Sequence, residues 1–155
     1  MMDSERRRLV QAISTAIAAQ KSEQEILQKA IELIDAFSAD FNWTGFYMMR
    51  NGVLEVGPYI GPKTEHTRIE LNSGICGAAA TQQKSVIVDD VKADPRFLAC
   101  SLTTRSEIVV PLMDGQTCLG EIDIDSDKPS YFTDDDRRML EEIAAVVVER
   151  LKQVR

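Results

Sequence analysis

The sequence has few of the residues that build common metal and disulfide sites. It contains one histidine and three cysteines in 155 residues, and these do not occur at the CxxC or HxxxH spacing of structural zinc sites. An odd number of cysteines also does not suit a framework of paired disulfides. We therefore predict no metal and no structural disulfide, and the thiols need another explanation.

Positive charge and long apolar runs are also scarce. Eighteen lysines and arginines stand against 25 acidic residues, for a net charge of -7, so no basic surplus is available for a phosphate backbone. No window approaches the roughly 20 apolar residues of a membrane span, and the N-terminus lacks the apolar core of a signal peptide. We expect a cytoplasmic protein with reduced thiols that binds neither nucleic acid nor membrane.

The sequence does contain a regular succession of helix and strand patterns. Helical spacing of apolar residues predicts helices from about Ser4 to Ala19 and Ser22 to Phe37, the second capped by Ser22, and a long last helix capped by Thr133. Between them, period-two segments predict strands, with Asn51-Gly52 and Asp114-Gly115 as hairpin turns. We predict one α+β domain over residues 1–155, with a central antiparallel sheet and the N- and C-terminal helices on one face.

Alternation along the last predicted strand sorts its side chains between two faces. Cys118, Ile122 and Ile124 fall on one face, which we predict to be apolar and covered by the terminal helices. We give Cys118 only a packing role there, because free cysteine is often buried. The opposite face carries carboxylates at alternate positions, namely Glu121, Asp123 and Asp125.

Two interpretations suit the acids and the aromatic residues of the predicted sheet. A solvated sheet face often carries charges, but neighbouring aspartates on one face repel each other, and a cationic ligand group would relieve this repulsion. Glu107 adds a third carboxylate beside Asp123 and Asp125. Trp43 and Tyr47 share a face of another strand, where they suit either simple packing or one wall of a ligand pocket.

Two cysteines lie where a thiol could be reactive. Cys76 is close to the start of a short helix, where we expect the helix dipole to lower its pKa. Cys100 lies in a predicted loop with no apolar run around it, so we expect it to be accessible. Two reachable thiols in a reducing compartment indicate redox chemistry or a metal, and the scarcity of further ligands disfavours the metal.

Several segments together resemble a known family, the free methionine-(R)-sulfoxide reductases, which have the GAF fold. The segments run from about Asn42 through Phe132 and comprise "NWTGFYMM", "GPYIGPKTEHTRIELNSGICGAA", "VIVDDV", "FLACS", "SEIVVPL" and "LGEIDIDS". Their order and spacing carry the resemblance. It implies a ligand pocket on the sheet face opposite the terminal helices.

The resemblance also implies a reaction and roles for residues. Free methionine (R)-sulfoxide is the implied substrate, and Cys100 is the implied nucleophile, which becomes a sulfenic acid. A second cysteine then forms a disulfide that thioredoxin reduces, with no bound cofactor. The implied substrate-binding residues are Trp43, Tyr47, Glu107, Asp123 and Asp125.

The sequence departs from the family at two positions. His66 stands where many members have a further cysteine, and Ser101 follows Cys100 where an aspartate is usual. Cys76 or an external thiol is then left to resolve Cys100. The departures also suit a non-catalytic GAF sensor that binds a small ligand, and a homodimer through the terminal helices is compatible with either function.

Overall fold

The computed structural model describes residues 2–97 and 103–155 of the chain. Within these ranges the order of helices and strands follows the sequence prediction closely. The elements are α1 (Ser4–Ala18), α2 (Glu23–Asp35), β1 (Trp43–Arg50), β2 (Val53–Ile60), β3 (Arg68–Ile69), α3 (Gly74–Gln82), β4 (Val86–Val88), β5 (Ser106–Asp114), β6 (Thr117–Ser126) and α4 (Asp134–Val154).

Short polar motifs fix where two of the helices begin. The Ser22 side chain accepts a hydrogen bond from the Glu25 N–H and donates one to the Glu25 carboxylate, so the predicted cap is present. Thr133 and Asp136 form a full capping box at the start of α4. Arg6 of α1 pairs with the same Asp136 at 2.7 Å, which ties the N-terminal helix to the C-terminal one.

The six strands form one antiparallel sheet in the order β3-β2-β1-β6-β5-β4. Strand β6 therefore lies in the middle, between β1 and β5. Within the described ranges, no helix is both long and apolar enough to cross a membrane.

The two faces of the sheet are covered by different helices. One apolar cluster joins α1, α2 and α4 to Phe46, Ile108 and Ile122 on one face. A second, smaller cluster joins α3 to Trp43 and Tyr47 on the other face. The predicted α+β architecture, with a central antiparallel sheet and the terminal helices on one face, is confirmed. The face that holds α3 is called the α3 face below.

The predicted position of Cys118 is wrong. Its side chain packs with the cluster on the α3 face, whereas Leu119 packs on the side of the terminal helices. The cause is a β-bulge in β6: Met113 pairs with Cys118 and Leu112 with Gly120, so Leu119 has no partner across the ladder. The extra residue reverses the alternation of faces along β6. Side chains from Gly120 onward lie on the predicted faces, whereas Cys118 and Leu119 lie on the opposite ones.

Candidate active site

The α3 face is organised by the pairing of β6 with its two neighbours. Asp125 lies between Trp43 of β1 and Glu107 of β5 in the register of the sheet. Asp123, two residues earlier, lies between Gly45 and Val109. Strand β1 and the β5–β6 hairpin, which are far apart in the chain, thus place carboxylates and an aromatic ring on adjacent positions of one surface, as the alternation predicted.

Aromatic rings form one side of this surface. The Trp43 ring stacks between Tyr47, at a centroid distance of 5.9 Å, and Tyr59, at 5.1 Å. A Cβ added at Gly45 would lie 2.5 Å from Cη2 of Trp43, so glycine leaves the space in which the indole lies. The Tyr47 hydroxyl donates to the carbonyl oxygen of His66 at 2.8 Å. Tyr59 was not predicted as part of this aromatic surface, because the residues next to it in the sequence do not indicate that its ring stacks on Trp43.

The carboxylates on this face are buried rather than solvated. Glu107, Asp123 and Asp125 are 6%, 2% and 1% exposed, so the interpretation as a solvated sheet face is wrong. Burial raises the pKa of Asp123, and it raises the pKa of Asp125 further, with a contribution from the neighbouring charge of Asp123. A carboxyl with a raised pKa can hold a proton near neutral pH and donate it.

Glu121 extends the acidic cluster by one more residue. It is fully buried in register between Tyr47 and Pro111, and burial followed by the charge of Asp123 raises its pKa well above the usual value. The sequence analysis noted its parity with Asp123 and Asp125 but assigned it no role. That parity was the signal that could have placed it in the site.

Several oxygens of the acidic cluster lack partners in the described part of the chain. Both carboxylate oxygens of Glu121, and one oxygen each of Asp123 and Asp125, make no hydrogen bond there. Buried polar atoms without partners are rare, because each costs about 1–3 kcal/mol. The arrangement is therefore suited to a ligand that donates hydrogen bonds or carries positive charge.

The predicted activation of Cys76 is wrong for this structure. The residue lies in the first turn of α3, but its side chain is buried beneath the helix. Burial, and then the charges of Asp123, Glu121 and Glu107, raise the pKa of its thiol well above the usual range. Burial and the nearby carboxylates outweigh the helix dipole, which is worth only about 0.3–1 kcal/mol to a charge near a helix end. Cys76 is a protonated, enclosed thiol rather than a reachable thiolate.

Cys76 is nevertheless close to the acids. Its Sγ and one carboxylate oxygen each of Glu107 and Asp123 all lie within 4.8 Å of one another. A cavity of about 150 Å³ has Trp43, Thr104 and Asp125 in its lining, and Asp125 is the cross-strand partner of Glu107. The predicted nucleophile Cys100 lies outside the described residues.

Known proteins share this fold and parts of this sequence. The GAF domain family matches residues 20–149. A structure of free methionine-R-sulfoxide reductase from Neisseria meningitidis, in complex with its substrate, superposes with a TM-score of 0.92 at 31% identity, over 99% of this chain and 93% of that one. This chain belongs to the free methionine-R-sulfoxide reductase family of GAF domains.

Curated relatives agree with this family but are longer than the matched region. The free methionine-R-sulfoxide reductase of Escherichia coli is 36% identical over 106 residues, which are 68% of this chain and 64% of that protein. The GAF domain-containing protein A of Dictyostelium discoideum is 40% identical over 105 residues, 67% of this chain and 66% of that protein. The chain thus spans just under two thirds of the length of these relatives.

The residues assigned through the resemblance to the reductase family can now be located. Six of the seven are described, and all six lie on or against the α3 face. They are Trp43, Tyr47, Cys76, Glu107, Asp123 and Asp125. The site of this reductase-family chain also includes Glu121 and Tyr59, which the resemblance did not supply.

The raised pKa of Glu121 predicts a pH-dependent effect of Glu121→Gln on stability. A folded-state pKa above the unfolded value means that stability is fully present below the unfolded pKa, near 4.3, and is lost as pH rises through the folded pKa. Glutamine does not ionise, so the Glu121→Gln variant does not lose this stability as the pH rises. We expect it to be more stable than the wild type by about 1–3 kcal/mol at about pH 8, with a much smaller difference near pH 4.

Urea unfolding of both proteins at the two pH values measures this difference. Glu55→Gln provides the control, because Glu55 is an exposed glutamate on strand β2. This variant should have the same free energy of unfolding as the wild type at both pH values. A Glu121→Gln variant that is less stable than the wild type at high pH would contradict the burial of an uncompensated carboxylate.

Proposed function

We propose that this protein reduces free methionine (R)-sulfoxide to methionine with electrons from a thiol reductant. The observation that carries the proposal is the juxtaposition of buried carboxylates, unpartnered oxygens and an aromatic wall on one sheet face. The reductase from Neisseria meningitidis, which shares the fold at 31% identity, was solved with its substrate.

The two ends of a free amino acid suit the two halves of the site. The α-ammonium group is a cation with three N–H donors, and Glu107, Asp123 and Asp125 are buried acceptors whose mutual repulsion it would reduce. A methionine residue within a protein has no free ammonium group, so this interaction selects the free amino acid. The methyl-sulfoxide end would then pack against the rings of Trp43 and Tyr47.

The acidic cluster also supplies a proton for the reaction. Burial holds the pKa of Asp125 well above its usual value, so its protonated form is populated at a higher pH than that of an exposed aspartate. A proton donated to the sulfoxide oxygen makes the sulfur more electrophilic. One carboxyl that donates and others that accept allow the same cluster to bind the ammonium group and activate the oxide.

Cys100 is the proposed nucleophile. Its sulfur takes the sulfoxide oxygen, so that the thiol becomes a sulfenic acid and methionine leaves with its sulfur reduced. A second thiol, which we assign to Cys76, forms an S–S bond with Cys100 and releases the oxygen as water. A dithiol such as thioredoxin then returns both cysteines to thiols and is itself oxidised to a disulfide. The Cys76–Cys100 disulfide and a cytoplasmic location are likewise parts of this proposal.

Turnover of the purified protein tests the proposal directly. We expect loss of the R epimer of free methionine sulfoxide in the presence of thioredoxin, thioredoxin reductase and NADPH, or of dithiothreitol alone. The S epimer and a peptide containing methionine sulfoxide are the controls, and both should persist.

The competing function is a GAF module that binds a small ligand without converting it. If neither reductant supports turnover while the R epimer still binds in calorimetry, the protein is a binding module. If the R epimer neither binds nor reacts, both assignments to this substrate are wrong.

A further inference from the structure

We propose that the reduced protein has a site for a thiophilic divalent cation, of which Zn²⁺ is the representative, formed by Cys76, Glu107 and Asp123. The ligands would be Sγ of Cys76 and one carboxylate oxygen from each acid. Binding of the metal does not require the proposed reductase activity, and it can be measured without turnover.

The geometry of these three side chains is close to that of a metal site. Their ligand atoms all lie within 4.8 Å of one another, whereas ligands of a tetrahedral zinc ion are roughly 3.5 Å apart. Small rotations of the side chains therefore complete the approach. The three residues come from α3, β5 and β6, so no sequence spacing of the usual zinc motifs could reveal them.

Buried oxygens that have no hydrogen-bond partner among the described residues are a second observation that points to a ligand at this cluster. One oxygen of Asp123 is buried without a hydrogen-bond partner in the described part of the chain, and so are both oxygens of Glu121. The Glu121 carboxylate interacts with both Cys76 and Asp123. A tetrahedral site needs a fourth ligand, and we assign that place to Glu121, which borders the group of three rather than belonging to it.

The donor set selects the class of metal. Carboxylates alone favour Mg²⁺ or Ca²⁺, which take oxygen ligands in larger number, while a thiolate favours Zn²⁺, Co²⁺ or Cd²⁺. A cation would also remove part of the repulsion among acids that are 0–6% exposed. We assign the ion's entry to the cavity whose lining includes Asp125, the cross-strand partner of Glu107.

One consequence rests on the proposed function. The metal would use the carboxylates proposed to hold the substrate ammonium, and it would occupy the thiol proposed to resolve Cys100. Zn²⁺ would then inhibit the reductase, in competition with free methionine sulfoxide and only while Cys76 is reduced.

Titration of the reduced protein with Co²⁺, in a non-thiol reductant, tests the site. We expect one equivalent to bind with a thiolate-to-metal charge-transfer absorption, which Zn²⁺ abolishes by displacement. Cys76→Ser should remove the absorption and weaken Zn²⁺ binding by roughly 100-fold or more, because loss of an outer-shell partner alone costs about 10–100-fold.

Matched cysteine variants identify the thiol. Cys118→Ser and Cys100→Ser should keep the absorption and the Zn²⁺ affinity of the wild type. Absence of the absorption in the wild type, or its loss in either of these variants instead of Cys76→Ser, overturns the site. If Cys76→Ser does not fold, as judged by circular dichroism, Asp123→Asn replaces it: an unchanged Zn²⁺ affinity in this variant overturns the proposal.

The result is separable from the reductase assay. A protein that shows the Co²⁺ absorption but no turnover keeps the metal site and loses the proposed reaction. A protein that turns over the R epimer but shows no thiolate-to-cobalt absorption keeps the reaction and loses the metal site.

Discussion

Replacement of Cys100 by serine is expected to abolish reduction of free methionine (R)-sulfoxide. A serine hydroxyl cannot take the oxygen from a sulfoxide and return it to a thiol reductant, since no sulfur is present to be oxidised. Loss of a covalent nucleophile typically lowers turnover on the order of 10⁴-fold or more. The measurement is the rate of methionine formation with thioredoxin or dithiothreitol, analysed by chiral chromatography of the remaining sulfoxide.

Cys118→Ser is the matched control for this loss. Cys118 is a free, half-buried thiol, and its Sγ lies 3.2 Å from the carbonyl oxygen of Gly120, which a serine hydroxyl can also contact. We expect the variant to retain most of the activity. Equal loss of activity in both variants would show that the effect comes from disturbed folding or from a different thiol, and Cys100 would lose its assigned role.

Asp123→Asn is expected to give the second-largest effect, and to separate function from stability. Asparagine keeps the shape of the side chain but loses the negative charge that we assign to the substrate ammonium group. Removal of one partner of a buried, hydrogen-bonded charge pair predicts a fall in kcat/KM of about 10²–10³-fold. Because burial raises the pKa of Asp123, the uncharged variant should be at least as stable as the wild type at neutral pH.

Steady-state kinetics and thermal unfolding of the same preparation test both halves of this prediction. Asp89→Asn, at an exposed position just after β4, is the control and should change neither quantity. An Asp123→Asn protein that unfolds at a clearly lower temperature would mean that the aspartate stabilises the fold, and the loss of activity would then say nothing about the substrate.

The parts of the fold that sequence predicts well are those set by local pattern. Capping by Ser22 and Thr133 and the period of two along β1 and most of β6 depend on residues a few positions apart, and the structure confirms them. Asp125 lies between Trp43 and Glu107, with Asp123 on the same face, because alternation and antiparallel pairing leave no other arrangement once the register is set.

The errors arise where the deciding interaction is not local. The position of Cys118 depends on a β-bulge at Leu119, which cannot be predicted from a single sequence. The thiol of Cys76 has a raised pKa because α3 lies over acids from β5 and β6, and no property of α3 alone reveals those neighbours. Burial of the acids likewise depends on what covers the sheet, which alternation does not determine.

The ends of the sheet limit how copies of this protein can associate. Its two outermost strands, β3 and β4, have only two and three residues. Such short edge strands expose few free backbone N–H and C=O groups with which a strand of another molecule could pair. Strand-to-strand polymerisation therefore has almost no template in the described part of the molecule. A homodimer of the kind expected from the sequence would be held by contacts between helix side chains, and it would form without extending the sheet.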